Sequence, residues 1–236
     1  MWKIVYTLFT APFAGLWYLI LLLRHYLYDR EIIPVHAFDF PVVVLGNLTI
    51  GGTGKTPLSI YVMQLLKKNG ITAALLSRGY GRKTMGYREV LPDERASIVG
   101  DEPLQMKRTL GETLVYVDED RVHGIHGIMR QNPEVQAVVL DDAFQHRRLV
   151  PGVSVVLMRF DRPTHKDFLL PLGRLRDLRE RLYAADAVVI TQCPRDLTEE
   201  DKSKWRQDLK LKDQQSLFFS TLEYLQPYNL TDKTIL

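Results

Sequence analysis

The sequence has a single cysteine, Cys193, in 236 residues. That excludes a disulfide framework and a cysteine-ligated zinc site, and it fits a reducing compartment. Charge imbalance is also slight: 31 Lys and Arg stand against 28 Asp and Glu, a formal net charge of +3. Nothing in that balance asks for a nucleic-acid partner, and none is expected. Internal repeats and low-complexity tracts are absent. His123 and His126 lie three apart on an expected helix but lack a third ligand nearby, which argues against a metal site there. Apolar residues make up 46% of the chain, an ordinary share for a protein with a real core. The length suits one large α/β domain with at most a small appendage.

A further absence sits at the N-terminus. Between Lys3 and Arg24 the stretch IVYTLFTAPFAGLWYLILLL carries no charge. As a helix it would span roughly 30 Å, the thickness of a bilayer's hydrocarbon core. Trp2, Tyr6, Trp17, Tyr18 and Tyr26 suit a membrane interface. A cleaved signal peptide is disfavoured because no small-x-small site follows LLLRHYLYDR. A buried core helix remains an alternative. Pro12 and Gly15 interrupt the segment, which favours an anchor that dips into the membrane or lies along it, with Arg24, His25 and Arg30 among the headgroups. Residues 1–30 are therefore expected to form a membrane-associated helix in contact with membrane lipid, on the cytoplasmic side where nucleotide is available.

Beyond Pro34 and Pro41, apolar strands alternate with helical segments. Strands are expected at 42–46, 71–77, 113–118, 136–142, 153–158 and 186–191, and helices at about 54–68, from about 100, and over 119–130. The strands are continuous apolar runs, the pattern of parallel strands buried on both faces. The rhythm predicts an α/β, doubly wound, mostly parallel sheet like that of P-loop NTPases over 31–195. Residues 196–236 read as a polar helix or linker.

The stretch NLTIGGTGKTPL lies between a buried strand and a helix, the context a phosphate-binding loop requires. Thr49, Ile50, Gly51, Gly52, Thr53, Gly54, Lys55 and Thr56 are the expected nucleotide-contacting residues. Glycines let backbone N–H groups approach phosphate oxygens, and the helix N-terminus adds partial positive charge. Lys55 is expected on the β- and γ-phosphates and the Thr56 hydroxyl on Mg²⁺. The first glycine of the usual pattern is replaced by Thr49. Asp141 and Asp142 end a buried strand, where paired carboxylates hold Mg²⁺ directly or through water. Two adjacent aspartates repel one another unless a cation is near. In VGDEP, Asp101 is either a base or aligning group for an acceptor hydroxyl or a helix cap, and Glu102 a group in the metal's outer shell. His146 either orients a site carboxylate, touches substrate, or packs on Phe144.

Taken in order, VVLGNLTIGGTGKTP, LLSRGYGR, VGDEP, VVLDDAFQHRRL and LPLGRLRD resemble the tetraacyldisaccharide 4'-kinase family of lipid A biosynthesis. The likeness covers about residues 1–195. It implies transfer of the γ-phosphate of ATP to the 4' hydroxyl of an acylated glucosamine disaccharide 1-phosphate, making lipid IVA at the cytoplasmic face of the bacterial inner membrane. Thr49 matches a threonine in the family's version of the loop. Asp101 matches the family's catalytic aspartate, and Lys55, Thr56, Asp141 and Asp142 its ATP–Mg²⁺ residues. Arg176 and Asp177 fall where the family places an arginine and an acidic residue, usually Glu, near the nucleotide. With that acceptor, Arg78, Arg82, Lys83 and Arg88 either meet its phosphate, contact anionic headgroups, or form a solvated basic loop. One or two of Arg174, Arg176, Arg179 and Arg181 are expected at the site. The resemblance also implies a second lobe past residue 196, cut short here, that supplies a histidine; no histidine follows His165, so slow transfer is expected. Two other functions compete: a membrane-bound nucleotide switch, against which Ile50 stands where such switches carry an extra lysine, and a kinase of a different lipid or polyprenol.

Overall fold

The structure, a computed structural model, describes residues 2–223, with side chains from Tyr6 onward. The Trp2 side chain and the 224–236 portion of the expected C-terminal linker lie outside the described residues.

Eight strands form one sheet in the order β3-β4-β2-β5-β1-β6-β7-β8. They are β1 (Val42–Asn47), β2 (Ala73–Ser77), β3 (Arg88–Glu89), β4 (Leu114–Val117), β5 (Ala137–Leu140), β6 (Val153–Arg159), β7 (Ala187–Thr191) and β8 (Ser216–Phe219). All pairings are parallel except β3 with β4. Most of the central positions are apolar and buried on both sides, as continuous Val, Leu and Ile runs require. Alternate residues feed two cores. Leu45, Leu75, Val115 and Val139 pack with Met63, Leu104 and Met106 of the helices α2 (Lys55–Lys68) and α4 (Asp101–Leu110). Val44, Leu76, Leu140 and Ile190 face the other side, with Val122, Ile125 and Ile128 of α5 (Arg121–Gln131) and Leu209 of α6 (Glu199–Leu209). A short α3 (Ala96–Val99) precedes α4.

Local chemistry sets the element ends. The Asp120 side chain accepts from the backbone N–H of Val122 and His123, so α5 starts at Arg121 rather than at 119. Thr198 and Asp201 form a reciprocal capping box at the start of α6. The expected strand 136–142 stops at Leu140 because Asp142 turns to φ +49°, out of the strand. Past residue 195, where a polar helix or linker was expected, α6 is that helix, and the core sheet continues beyond it: Ser216–Phe219 pair in parallel with β7 as its eighth strand.

The N-terminal helix α1 runs unbroken from Trp2 to Asp29, through Pro12 and Gly15. Pro12 lies inside the helix, where its ring removes one hydrogen bond, yet the helix continues on both sides of it. Tyr6–Asp29 has mean hydropathy 1.6 and is long and apolar enough to cross a membrane. It is no core helix: Leu8 and Phe9 are each 71% exposed, and Phe13, Leu16, Leu19 and Leu23 are exposed too. A narrow stripe of Thr10, Ala14, Leu21 and His25 is buried against the body. Arg24 and His25 are not free for headgroups, as the sequence suggested. Arg24 donates to the Gln145 carbonyl, and His25 is buried against Asp177. Arg30 stacks over the Tyr26 ring.

Candidate active site

Strand order builds the site. The chain leaves β1 at Asn47 and enters α2 through the glycine loop, while β5 lies beside β1 in register, Val44 opposite Leu140. Asp141 and Asp142 therefore emerge next to the loop, at the carboxyl ends of parallel strands where α/β sheets bind ligands. Gly54, at φ +83°, is the N-cap residue of α2, and Gly51 adopts φ +105°; a side chain at either would be strained. The loop's inner rungs are polar. Asn47 Nδ2 donates to Thr53 Oγ1 at 2.8 Å, and Thr191 Oγ1 donates to the Thr53 carbonyl at 2.9 Å.

One cavity of about 900 Å³ opens over this loop. Thr49–Thr56, Arg78, Glu102, Asp141, Asp142, His146 and Arg176 all line it, so most of the sequence-expected residues converge. Lys55 Nζ lies 3.5 Å from Asn47 Oδ1 and 3.7 Å from Asp142 Oδ1. Arg176 bridges both Asp142 oxygens and the Asn47 side chain. These cations offset part of the repulsion expected of the aspartate pair. Burial pushes the Asp142 carboxyl up, but the bond and charge of Arg176, with Lys55, outweigh it and hold it below the usual range. Asp141 differs. Burial, with Asp142 and Glu102 adding to it against the Ser59 hydrogen bond, raises its carboxyl to about 6. Ser59 donates to its Oδ1 at 2.9 Å, while its buried Oδ2 has no hydrogen-bond partner among the described residues. An orphaned carboxylate oxygen beside a second carboxylate and the Thr56 hydroxyl fits a divalent cation.

The structure separates four residues from this group. Asp177 is fully buried beneath α1, bonded to His25 and away from the cavity; α1 covers it, which the motif alone does not reveal. Arg82 pairs with Glu119 and the Gly86 carbonyl, pinning the 78–88 loop rather than facing the cavity. Arg174 lies in a small recess on the loop's outer flank with Arg159, Arg162 and Asp167, and its carbonyl accepts from Ile50 N–H. Asp101 is exposed, the first residue of α4, beside Glu102 at the cavity wall. It is not the helix cap. That position belongs to Gly100 at φ +94°, where a Cβ would come within 3.1 Å of the Tyr80 carbonyl. The Asp101 carboxylate makes no hydrogen bond among the described residues.

Sequence reasoning missed several lining residues. Arg121, Glu119, Gln145 and Ser77 also face the cavity, and Asn47 is the polar hub beneath it. Arg121 is 4% exposed; burial, then Arg78, lower its guanidinium to about 10. Burial and Arg121 likewise depress His146 to about 4, and its buried Nε2 has no partner among the described residues. The signal was available: Glu119 and Arg121 follow β4, and Gln145 follows β5, at the same carboxyl edge of the sheet. Lys55, Arg78, Arg121 and Arg176 together suit a polyphosphate.

A mostly parallel sheet, a strand–GKT loop–helix unit and an acidic pair at the end of the neighbouring strand define a P-loop nucleotide-binding fold. The family model described as tetraacyldisaccharide-1-P 4'-kinase matches residues 6–233, and the chain belongs to that family. Proteins named tetraacyldisaccharide 4'-kinase are similar to it: one from Flavobacterium johnsoniae at 43% identity, over 90% of this chain and 62% of the relative, and one from Phocaeicola vulgatus at 40%, over 89% and 57%. A third, from Porphyromonas gingivalis, is 41% identical over 91% and 60%. The chain thus spans about three fifths of the length of these curated relatives. A crystal structure of the "apo" form of LpxK from Aquifex aeolicus, in complex with ATP, superposes with a TM-score of 0.72 at 27% identity, covering 98% of this chain and 86% of that one.

Proposed function

We propose that the chain takes part in transfer of the γ-phosphate of ATP to the 4' hydroxyl of a tetraacyldisaccharide 1-phosphate, yielding lipid IVA at the cytoplasmic face of the inner membrane. The observation that carries this reading is the convergence of the glycine loop, Lys55, the Asp141–Asp142 pair and Arg176 on one cavity, in a molecule whose first helix is exposed and apolar. The relatives' names supply the acceptor. The ATP-complexed neighbour supports the nucleotide.

Phosphoryl transfer depends mostly on positioning and charge stabilisation. Backbone N–H groups of residues 51–56 and the Lys55 ammonium hold the β- and γ-phosphates. Thr56, Asp141 and Asp142 would hold Mg²⁺, with Glu102 in its outer shell; bound there, the ion would neutralise charge on the phosphates. Arg78, Arg121 and Arg176 add fixed positive charge around the transferring group. Neutral His146 sits at the cavity wall as an uncharged hydrogen-bonding group. Asp101, at the exposed rim, aligns the acceptor hydroxyl and accepts its proton. The acceptor's acyl chains are costly to extract, at about 0.8 kcal/mol per CH₂, so α1 brings the cavity to the bilayer.

The test is incubation of the chain with γ-labelled ATP, Mg²⁺ and the acylated disaccharide 1-phosphate in detergent, with mass spectrometry of the lipid. One added phosphate on the distal sugar supports the proposal. ATP hydrolysis without a phosphorylated lipid rejects it.

A further inference from the structure

Where the phosphate loop begins, it is not held by β1 alone. Ile50 N–H donates to the Arg174 carbonyl at 2.8 Å, Arg176 N–H to the Leu48 carbonyl at 2.9 Å, and Thr49 faces Leu175 in an antiparallel bridge. Segment 174–176 is thus a short strap along the loop's entry. Its next residue, Asp177, is fully buried, and its Oδ1 lies 2.6 Å from His25 Nε2. Arg147 donates to His25 Nδ1 and to the His25 carbonyl, each at 3.1 Å. An arginine cannot accept, so Nδ1 is the acceptor, and the ring proton, assigned from these partners, sits on Nε2 and is donated to Asp177. A second link runs parallel. Arg24 donates to the Gln145 carbonyl at 2.5 Å, and Gln145 Nε2 donates to the Asn47 carbonyl at 2.7 Å. Asn47 in turn orders Thr53 and meets Lys55.

We propose that His25 is a positioning residue for the nucleotide site: through Asp177 it fixes the 174–176 strap, and with Arg24 it makes the last turns of the apolar helix part of the phosphate cradle. This rests on the reading of the cavity as the ATP site and not on the identity of the acceptor. Burial and polarity argue for more than packing. A neutral histidine bridging a buried carboxylate and an arginine is an expensive way to fill space, since each polar group must be satisfied. Both routes end on residues 47–50, and neither touches the opposite edge of the sheet. Coupling between two sites is reciprocal. A helix held in place by membrane or acyl chains therefore tightens nucleotide binding, and bound nucleotide holds the helix.

The experiment is calorimetric titration of the full 236-residue chain in detergent micelles with a non-hydrolysable ATP analogue and Mg²⁺, the melting temperature of each variant being measured alongside. His25→Ala is expected to weaken the analogue about tenfold, within the usual range of intersite coupling. In turnover it raises the KM for ATP while Asp101, which aligns the acceptor, is untouched. His25→Gln keeps an N–H donor and is expected to restore affinity to within about threefold of the parent. A folded His25→Ala chain that binds the analogue as the parent does overturns the proposal. Should His25→Ala show no cooperative melt, Arg24→Ala decides instead: parental affinity overturns the proposal, and a loss supports it. A parent chain that binds the analogue tightly but phosphorylates no lipid contradicts the kinase reading and leaves this positioning role standing.

Discussion

Individual residues divide into those that bind and those that react, and the two are separable by experiment. Lys55 lines the cavity; as the proposed phosphate-binding ammonium, its replacement Lys55→Ala is expected to weaken ATP by about 10- to 100-fold, the worth of a charge-assisted hydrogen bond, as read by calorimetry. Asp101 is exposed at the start of α4, outside the set of residues that line the cavity. Asp101→Ala is expected to leave ATP affinity unchanged and to lower turnover by about 10²- to 10⁴-fold. An Asp101→Ala chain with parental turnover would show that another group aligns the hydroxyl. His146 gives a pH signature. Burial and Arg121 bring it from the ordinary value to about 4, so its ring is expected to stay neutral by NMR down to about that pH. The unfolded chain takes up this proton near pH 6.5 and the folded chain does not. Stability is therefore lost as pH falls from about 6.5 towards 4. His146→Gln is expected to lose less stability over that window in urea titrations at pH 7 and pH 5. An equal loss would place the ring in a more solvated setting.

Elements were legible wherever periodicity was strong. The run VVVLG, the GKT loop and the Asn69-Gly70 stop predict β1, the loop and α2 to within about a residue of what forms. Where the pattern left a choice open or fell silent, a local contact decided. Gly100 took the cap that Asp101 was a candidate for, because its backbone packs against Gly79 and Tyr80. Ser216–Phe219 is an edge strand with no fully buried position, so it lacks the signature of the central strands, yet sheet pairing with β7 fixes it. Helix α1 was legible as apolar but not as a wedge: the polar contacts of Arg24 and His25 lie some 120 to 150 residues away in sequence. Its exposed flank carries a prediction about membrane contact. Leu19→Lys with Leu23→Lys is expected to reduce retention on anionic vesicles at least about tenfold in flotation, since a lysine in the hydrocarbon region costs about 2.5–3.5 kcal/mol. Neither residue reaches the cavity, so ATP affinity is expected to hold. Unchanged flotation would mean that α1 does not carry the membrane contact.

At the scale of the molecule, the sheet sets the nucleotide end and α1 the apolar end. The strap at 174–176 and the Gln145–Asn47 link lie where the two meet. The cavity itself could be inferred from motifs alone, since Lys55, Thr56, Asp141 and Asp142 do converge. What motif reading passed over was the inner layer of Asn47, Ser59, Arg121 and Gln145, whose roles emerge only because parallel strands end side by side. It also hid the direction of Asp177, which faces the helix rather than the nucleotide. The central claim is that this joined arrangement delivers phosphate straight to a sugar held in a bilayer. The most direct measurement places the acylated disaccharide 1-phosphate in sealed vesicles, adds the chain with γ-labelled ATP and Mg²⁺ from outside, and follows label on the lipid. The account predicts label on the distal sugar of vesicle-embedded acceptor, lost in the Leu19→Lys, Leu23→Lys chain. Label appearing only as free phosphate, with the chain bound to the vesicles and saturated with ATP, would contradict it.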